Sequence, residues 1–205
     1  MHANEFPLMT MVVTMASVLS KLMTAEEFFD FANRPENRDK HFELVKGEVV
    51  KVSRPGDRHG SVCANAAFLL VGYTRVIKRG HVTTNDTGIV LERDPDTVRG
   101  ADVALYMEKV RFRQLKIKYE LRLPKLIVEV LSPNDRQGRM QKRINEFLAK
   151  GVGTAWLLDP DAETLTIFLP NKQPIVLERD DEVTGLKLLP DFRCQVAEFF
   201  VMPGE

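Results

Sequence analysis

The clearest candidate for chemistry is Glu129, a carboxylate inside the apolar run L-I-V-E-V-L. β-branched residues between two prolines predict a buried strand over 125–132. A buried carboxylate is costly unless a basic side chain or a metal meets it. A basic helical segment follows, so the pattern suits a metal site with a charge-stabilising partner; its basic residues are Arg136, Arg139, Lys142 and Arg143. A solvated glutamate on an edge strand is the alternative, and the residues alone leave both readings open.

Other polar positions carry weaker signals. His59 and Cys63 are four residues apart and would share a helix face, but two ligands do not make a zinc site. His59 could contact an anion or a catalytic water, or be a surface or capping residue. Asp102 opens a predicted strand and by itself is typical of a turn. The run 109–118 interleaves five basic residues with apolar ones, which suits either a phosphate-contacting face or a solvated edge.

Length and composition favour one domain with a sizeable core, since the chain has 205 residues and 44% hydrophobic content. Lys and Arg number 29, as do Asp and Glu, so a nucleic-acid partner would need a local basic patch. Cys63 and Cys194 lack metal-binding spacing and are typical of small core residues in a reducing compartment.

The N-terminus is apolar from Leu8 to Met23, yet this stretch is short for a membrane span. It also lacks a basic start, since its first lysine is Lys21, which argues against a secretory signal. We therefore expect a cytoplasmic protein with an N-terminal extension over 1–22 and a single domain over 23–205.

The predicted elements alternate between helices and strands. Thr24 and Glu27 form a capping-box pattern that predicts a short helix, and Lys46-Gly47 predicts the turn of a hairpin over 42–52. We expect amphipathic helices over 59–78 and 136–150. We expect strands over 81–91, 99–106, 125–132, 154–158 and 165–169. This order indicates an α/β domain with a mixed central sheet.

Six motifs in this order resemble the Uma2 family of the restriction-endonuclease-like PD-(D/E)XK nuclease superfamily: F-E-L-V-K-G-E-V-V, R-H-G, R-G-A-D-V, L-I-V-E-V-L-S-P-N-D, K-R-I-N-E-F-L-A-K-G-V and A-W-L-L-D-P. The resemblance covers roughly residues 24–200. It implies an α/β fold in which a restriction-endonuclease-like mixed central sheet is flanked by helices, with added β-hairpins.

The resemblance also implies site residues. Asp102 matches the acid of the family's P-D motif, Glu129 the acid of the E-x-K motif, Glu43 the upstream glutamate, and His59 the histidine that opens the long helix. Two positions depart from the pattern. Ala101 stands where proline is usual, and Leu131 stands where the lysine of E-x-K would be. Lys142, on the following helix, matches the lysine that this family uses instead.

The implied chemistry is metal-dependent hydrolysis of DNA. Asp102 and Glu129, with the Val130 carbonyl, would hold Mg²⁺ or Mn²⁺. Lys142 would orient the attacking water or stabilise the transition state. Glu43 and His59 would assist as a second ligand or water orienter and as a phosphate or water contact. We expect a homodimer that acts on DNA; the alternative is a catalytically inactive nucleic-acid-binding or assembly module on the same fold.

Overall fold

A computed structural model describes residues 22–119, 121–132, 137–184, 186–202 and 204. The predicted extension over 1–22 lies outside these ranges except for its last residue. The described helices are α1 (Ala25–Ala32), α2 (Asp57–Ile77) and α3 (Gln137–Ala149). The described strands are β1 (His41–Val45), β2 (Glu48–Val52), β3 (His81–Thr84), β4 (Ile89–Glu92), β5 (Thr97–Arg99), β6 (Val103–Tyr106), β7 (Leu126–Val130), β8 (Thr154–Asp159), β9 (Thr164–Phe168), β10 (Ile175–Leu177), β11 (Glu182–Val183) and β12 (Cys194–Gln195).

The central sheet has six strands in the order β10-β9-β8-β7-β6-β3. β7 and β8 are parallel, and the other neighbouring strands are antiparallel. α3 connects β7 to β8, as a parallel pair requires a crossover. The predicted mixed central sheet is confirmed.

A second sheet of four strands has the order β2-β1-β5-β4. Its β1–β2 hairpin turns at Lys46 and Gly47, both with positive φ, which confirms the predicted turn. α1 packs on this sheet through Phe28, which is 2% exposed. The capping box of Thr24 and Glu27 is also present.

The helices cover opposite faces of the central sheet. α2 packs on one face through Val62, Ala66 and Leu70, against a cluster that includes the fully buried Trp156. α3 packs on the other face through Ile144 and Phe147. Side chains on β7 alternate between these faces, so Glu129 shares the α3 face with Ile127. The strand therefore carries a carboxylate into a largely apolar layer.

Two of the expected strands are each divided in the structure. The run 81–91 forms β3 and β4 with a turn between them, where Asn85 and Asp86 have positive φ. The run 99–106 forms the end of β5 and all of β6, which belong to different sheets. Gly100 lies at this crossing, and an added Cβ would come within 2.7 Å of Asp86 Cβ. The crossing therefore brings the second sheet close to the start of β6.

α2 is long and apolar enough to cross a membrane by length and composition, the one such helix in the described part of the chain. Its buried residues, which include Val62, Ala66 and Leu70, pack on the central sheet. The run 109–118 contains a short 3₁₀ turn at Phe112–Gln114 and no strand.

Candidate active site

Asp102 and Glu129 are cross-strand neighbours. β6 and β7 pair with Val103 opposite Val128, so one step further along the register places Asp102 opposite Glu129. Asp102 is also near enough to Glu129 for its charge to raise the pKa of Glu129. The backbone N–H of Val130 donates to Asp102 Oδ2 at 2.7 Å, which anchors that carboxylate to the end of β7. The two acids predicted from different motifs therefore lie side by side.

Glu129 is buried, with 4% of its surface exposed, on the α3 face of the sheet. Its Oε1 accepts a hydrogen bond from Arg143 Nε of α3 at 3.2 Å. Burial raises the pKa of Glu129 to about 8, with the nearby Asp102 charge adding to the rise and Arg143 opposing it. The carboxylate is consequently short of positive charge even with its arginine partner.

Glu43 enters the same site from the second sheet. Its Oε2 lies 2.7 Å from Arg99 Nη1, and its Oε1 lies 2.8 Å from Arg143 Nη2. The Gly100 N–H donates to Oε1 at 3.2 Å. Burial alone would raise the pKa of Glu43, but the two guanidinium groups outweigh it and lower the pKa. Glu43 is therefore an ionised carboxylate that holds two arginines.

Arg143 connects the two sheets through their acids. Besides Glu43 and Glu129 it donates to the Gly100 carbonyl, at the crossing between the sheets. Its side chain is 21% exposed. Removing this guanidinium would leave two buried carboxylates without their main partner.

His59 lies in the first turns of α2 and contacts Asp102 from the other side of the sheet. Its Nε2 is 3.3 Å from Asp102 Oδ2, and its Nδ1 is 3.4 Å from Cys63 Sγ. Burial lowers the pKa of His59, but the hydrogen bond with Asp102 and the negative charges of Asp102, Asp86 and Glu129 together raise it more, so the pKa is raised overall. The α2 helix begins at Asp57, two residues before the predicted start, so His59 is inside it.

Lys142 is exposed on α3. The contacts of the described residues bring Arg143, the next residue, to the two glutamates, since successive residues point about 100° apart around a helix. The assignment of Lys142 to the reaction stays a prediction. Sequence reasoning named Arg143 only as one of several basic residues and did not assign it a contact.

The motifs also missed Arg99, Asp86 and the closeness of Cys63 to Asp102. Arg99 could have been noticed because it stands in the R-G-A-D-V motif. Asp86 had no such signal, because it lies in a turn inside a run predicted as one strand. Burial raises the pKa of Asp86, and the Asp102 charge raises it further.

We call the four carboxylates of Glu43, Asp86, Asp102 and Glu129 the acid cluster. Among the described residues, Asp102 Oδ1 and Glu129 Oε2 have no hydrogen-bond partner, while the other oxygen of each does. Burial raises the pKa of Glu129 and of Asp86, and the negative charge of Asp102 adds to the rise in both. Two open carboxylate oxygens in an acid-rich site fit a hard divalent cation.

The fold and this site together define a restriction-endonuclease-like protein with an acidic centre at the ends of β6 and β7. The model of the Uma2 family, described as "Putative restriction endonuclease", matches residues 25–197. The chain belongs to the Uma2 family.

A solved structure has the same fold. It is a protein from Anabaena variabilis described as a putative nuclease belonging to DUF820, with a TM-score of 0.69 and 19% sequence identity. The similarity covers 87% of this chain and 97% of that one. At this identity the likeness shows the fold alone. No curated protein matches the chain.

Proposed function

We propose that this protein is an endonuclease that hydrolyses DNA phosphodiester bonds with Mg²⁺ or Mn²⁺, in the cytoplasm. The observation that carries the proposal is the side-by-side placement of Asp102 and Glu129 at the ends of β6 and β7. Nucleic acid as the substrate class follows from the Uma2 family. The choice of DNA and of these metals belongs to the proposal.

The cation would be held by Asp102 Oδ1, Glu129 Oε2 and the carbonyl of Val130. When bound, such an ion lowers the pKa of a coordinated water and offsets charge on the scissile phosphate. Asp102 suits this role because its other oxygen is fixed by the Val130 N–H. A ligand held by the backbone keeps its position when the ion leaves.

The remaining residues would position the acids and the phosphate. Arg143 orients Glu129, and Glu43 holds Arg143 in place, so Glu43 acts as a positioning residue. His59, fixed by Asp102, would contact the phosphate or a water. Lys142 is an exposed residue of α3, next to Arg143, and would stabilise the negative charge that develops on the phosphate.

A second candidate function is a non-catalytic nucleic-acid-binding or assembly module. Arg143 favours it, because this side chain already pairs with Glu129 and Glu43. An internal cation can satisfy the carboxylates of a fold that has lost its metal. The two functions differ in one measurable respect, which is metal-dependent cleavage.

The proposal includes a homodimer formed through α2. An exposed ridge of this helix has positions four residues apart: Gly60, Ala64, Phe68, Gly72 and Val76. Phe68 and Val76 are 77% and 81% exposed, and a Cβ at Gly60 would meet nothing within 4 Å. An antiparallel contact centred on Phe68 would lay Val76 of one copy over Gly60 of the other. Light scattering is expected to give a dimer mass that Phe68→Lys halves.

The test of the enzyme is incubation of the purified protein with single-stranded, duplex and branched DNA, with Mg²⁺, with Mn²⁺ and with EDTA. We expect cleavage with either metal, none with EDTA, and loss of cleavage in Glu129→Ala and Lys142→Ala. Glu48→Ala, which removes an exposed carboxylate on β2, is the matched control and should keep the activity. Cleavage that survives both site changes would eliminate this assignment. Metal binding without any cleavage would favour the non-catalytic module.

A further inference from the structure

On the side of α2, Asp102 lies near a nitrogen and a sulfur donor. His59 and Cys63 are one helical turn apart on α2, so both reach toward the same carboxylate. His59 Nε2 is 3.3 Å from Asp102 Oδ2, and Cys63 Sγ is 3.4 Å from His59 Nδ1. One ligand atom from each of the three residues lies within 4.8 Å of the other two. A sulfur, a nitrogen and an oxygen donor thus lie within a few ångströms of one another.

We propose that His59, Cys63 and Asp102 form a site for a thiophilic divalent cation of the Zn²⁺ class, next to the hard-cation site at Glu129, with Asp102 as a ligand common to both. A thiolate and an imidazole suit Zn²⁺, whereas Mg²⁺ takes oxygen ligands. Three protein ligands leave the fourth tetrahedral position to a water. This ligand set contains sulfur and should therefore bind Zn²⁺ in preference to the Mg²⁺ proposed for catalysis.

Binding needs a local rearrangement at Cys63, because Asp102 Oδ2 lies against Nε2 of His59 and Cys63 Sγ lies against Nδ1, and one ion takes only one of the two ring nitrogens. In a tetrahedral zinc site, bonds of about 2.0–2.3 Å place neighbouring ligand atoms about 3.3–3.7 Å apart. The nitrogen–oxygen separation already has this length, and the longest separation must shorten by at most about 1 Å. The exposed fraction of the side chain is 8% for His59 and 14% for Asp102, so neighbouring atoms hold both in place. Binding replaces the His59–Asp102 hydrogen bond with two bonds to the ion. The Nε2 proton moves to Nδ1 if the imidazole is neutral, or one proton leaves to solvent if it is charged, and the Cys63 thiol proton is also released to solvent.

The surroundings favour a cation at this point. Asp86 and Glu129 are near enough for their charges to act on both His59 and Cys63. The nearest arginine contacts are made with Glu43 and Glu129, on the other side of Asp102. A divalent ion beside α2 would therefore meet negative charge without a competing guanidinium.

Cobalt is the probe for this site, because Co²⁺ takes the same ligands as Zn²⁺ and a thiolate ligand gives it a near-ultraviolet charge-transfer band. Titrating the full chain with Co²⁺ should produce this band at one equivalent, and Zn²⁺ should abolish it. Cys63→Ser should eliminate the band and weaken Zn²⁺ binding by at least about 10- to 100-fold, the loss seen when even a partner of a ligand is removed. Cys194→Ser, which changes the other cysteine, should keep the band.

A second measurement uses the unaltered protein. Zn²⁺ should protect Cys63 from alkylation by iodoacetamide, with mass spectrometry of the peptides as the readout, and Mg²⁺ should not. An absent cobalt band, a band that persists in Cys63→Ser, or equal alkylation with and without Zn²⁺ would each overturn the proposal. The assays contain no DNA, and the band should persist in Glu129→Gln. Their failure would thus leave the nuclease proposal standing.

Discussion

Two ion networks in this protein use the same residue types for different ends. In the N-terminal network, Arg93 makes two hydrogen bonds with Glu26, at 2.8 and 2.9 Å, and one with Asp96 at 2.7 Å. Asp96 also accepts the N–H of Ala25 at 2.7 Å, which ties the network to α1. In the acid cluster, Arg143 contacts the buried Glu43 and Glu129, and Arg99 contacts Glu43.

The difference appears in the pKa values. The hydrogen bond from Arg93 lowers the pKa of Glu26 to about 2, so this exposed acid is satisfied. Burial raises the pKa of Glu129 to about 8 despite its contact with Arg143. A network whose acids are matched by an arginine and by backbone N–H groups holds a helix in place. A buried network in which a carboxylate keeps a raised pKa despite its arginine partner can gain from the positive charge of a metal ion.

The largest expected effect is on catalysis. Glu129→Gln keeps the shape of the side chain but removes the charge that would hold the cation, so DNA cleavage in Mg²⁺ should fall by at least about 10²–10³-fold. Glu26→Gln makes the same change in the N-terminal network and should leave the cleavage rate unaltered. Initial rates on labelled duplex DNA measure both. Equal losses in the two variants would show that the networks do not differ in function.

The next effect is on stability. Arg143→Met leaves Glu43 and Glu129 buried without their main partner, so the free energy of unfolding should fall by about 3–5 kcal/mol. Urea unfolding followed by Trp156 fluorescence measures this, since Trp156 is the only tryptophan and is fully buried. Adding Glu129→Gln to Arg143→Met should recover part of the loss. No recovery would argue against an energetic coupling between these two residues.

The third effect is on metal affinity as a function of pH. A carboxylate with a pKa of about 8 is protonated below that pH and must lose its proton to bind a cation. Mg²⁺ affinity should therefore rise with pH by up to about tenfold per unit until it levels off near pH 8. Calorimetry in two buffers of different ionisation enthalpy would also detect the released proton. An affinity that is flat across this range would contradict the raised pKa of Glu129.

The smallest effect belongs to the N-terminal network. Arg93 and Glu26 are 42% and 58% exposed, so water screens their ion pair, and the buried Asp96 keeps its hydrogen bonds from the Ala25 and Asp94 N–H groups. Arg93→Met should therefore change the free energy of unfolding by about 0–1 kcal/mol. The same urea experiment gives the comparison with Arg143→Met. A loss as large as that of Arg143→Met would remove the distinction between the two networks. Acid should also weaken the wild-type network: the lowered pKa of Glu26 adds stability above its ordinary pKa of 4.5, and this is lost as the pH falls toward about 2.

Sequence patterns predicted much of the fold because local signals decide those elements. The Lys46-Gly47 turn, the Thr24 cap and the apolar run around Glu129 each depend on neighbouring residues. The divided strands were predicted wrongly for two reasons. The residues N-D-T-G at 85–88 are a local turn signal that the prediction of one strand over 81–91 overlooked. The sheet that each half joins depends on residues outside the run, since β3 pairs with β6 and β4 with β5.

The candidate site was predictable in its acids and less so in its cations. Asp102 and Glu129 stand in recognisable motifs, and their pairing follows once β6 and β7 are registered. Whether Lys142 or Arg143 turns toward the acids depends on the rotation of α3 about its axis, which packing of Ile144 and Phe147 determines. A one-residue difference of this kind has no signature in a linear motif.

The guanidinium of Arg143 links the two sheets, since it pairs with Glu43 of the four-stranded sheet and with Glu129 of the central sheet. Shortened versions of the chain that begin after the β1–β2 hairpin would keep Asp102 and Glu129 but lose Glu43, the partner of Arg143 in the other sheet. Engineers who graft this centre onto another scaffold must therefore transplant the hairpin as well as the central strands.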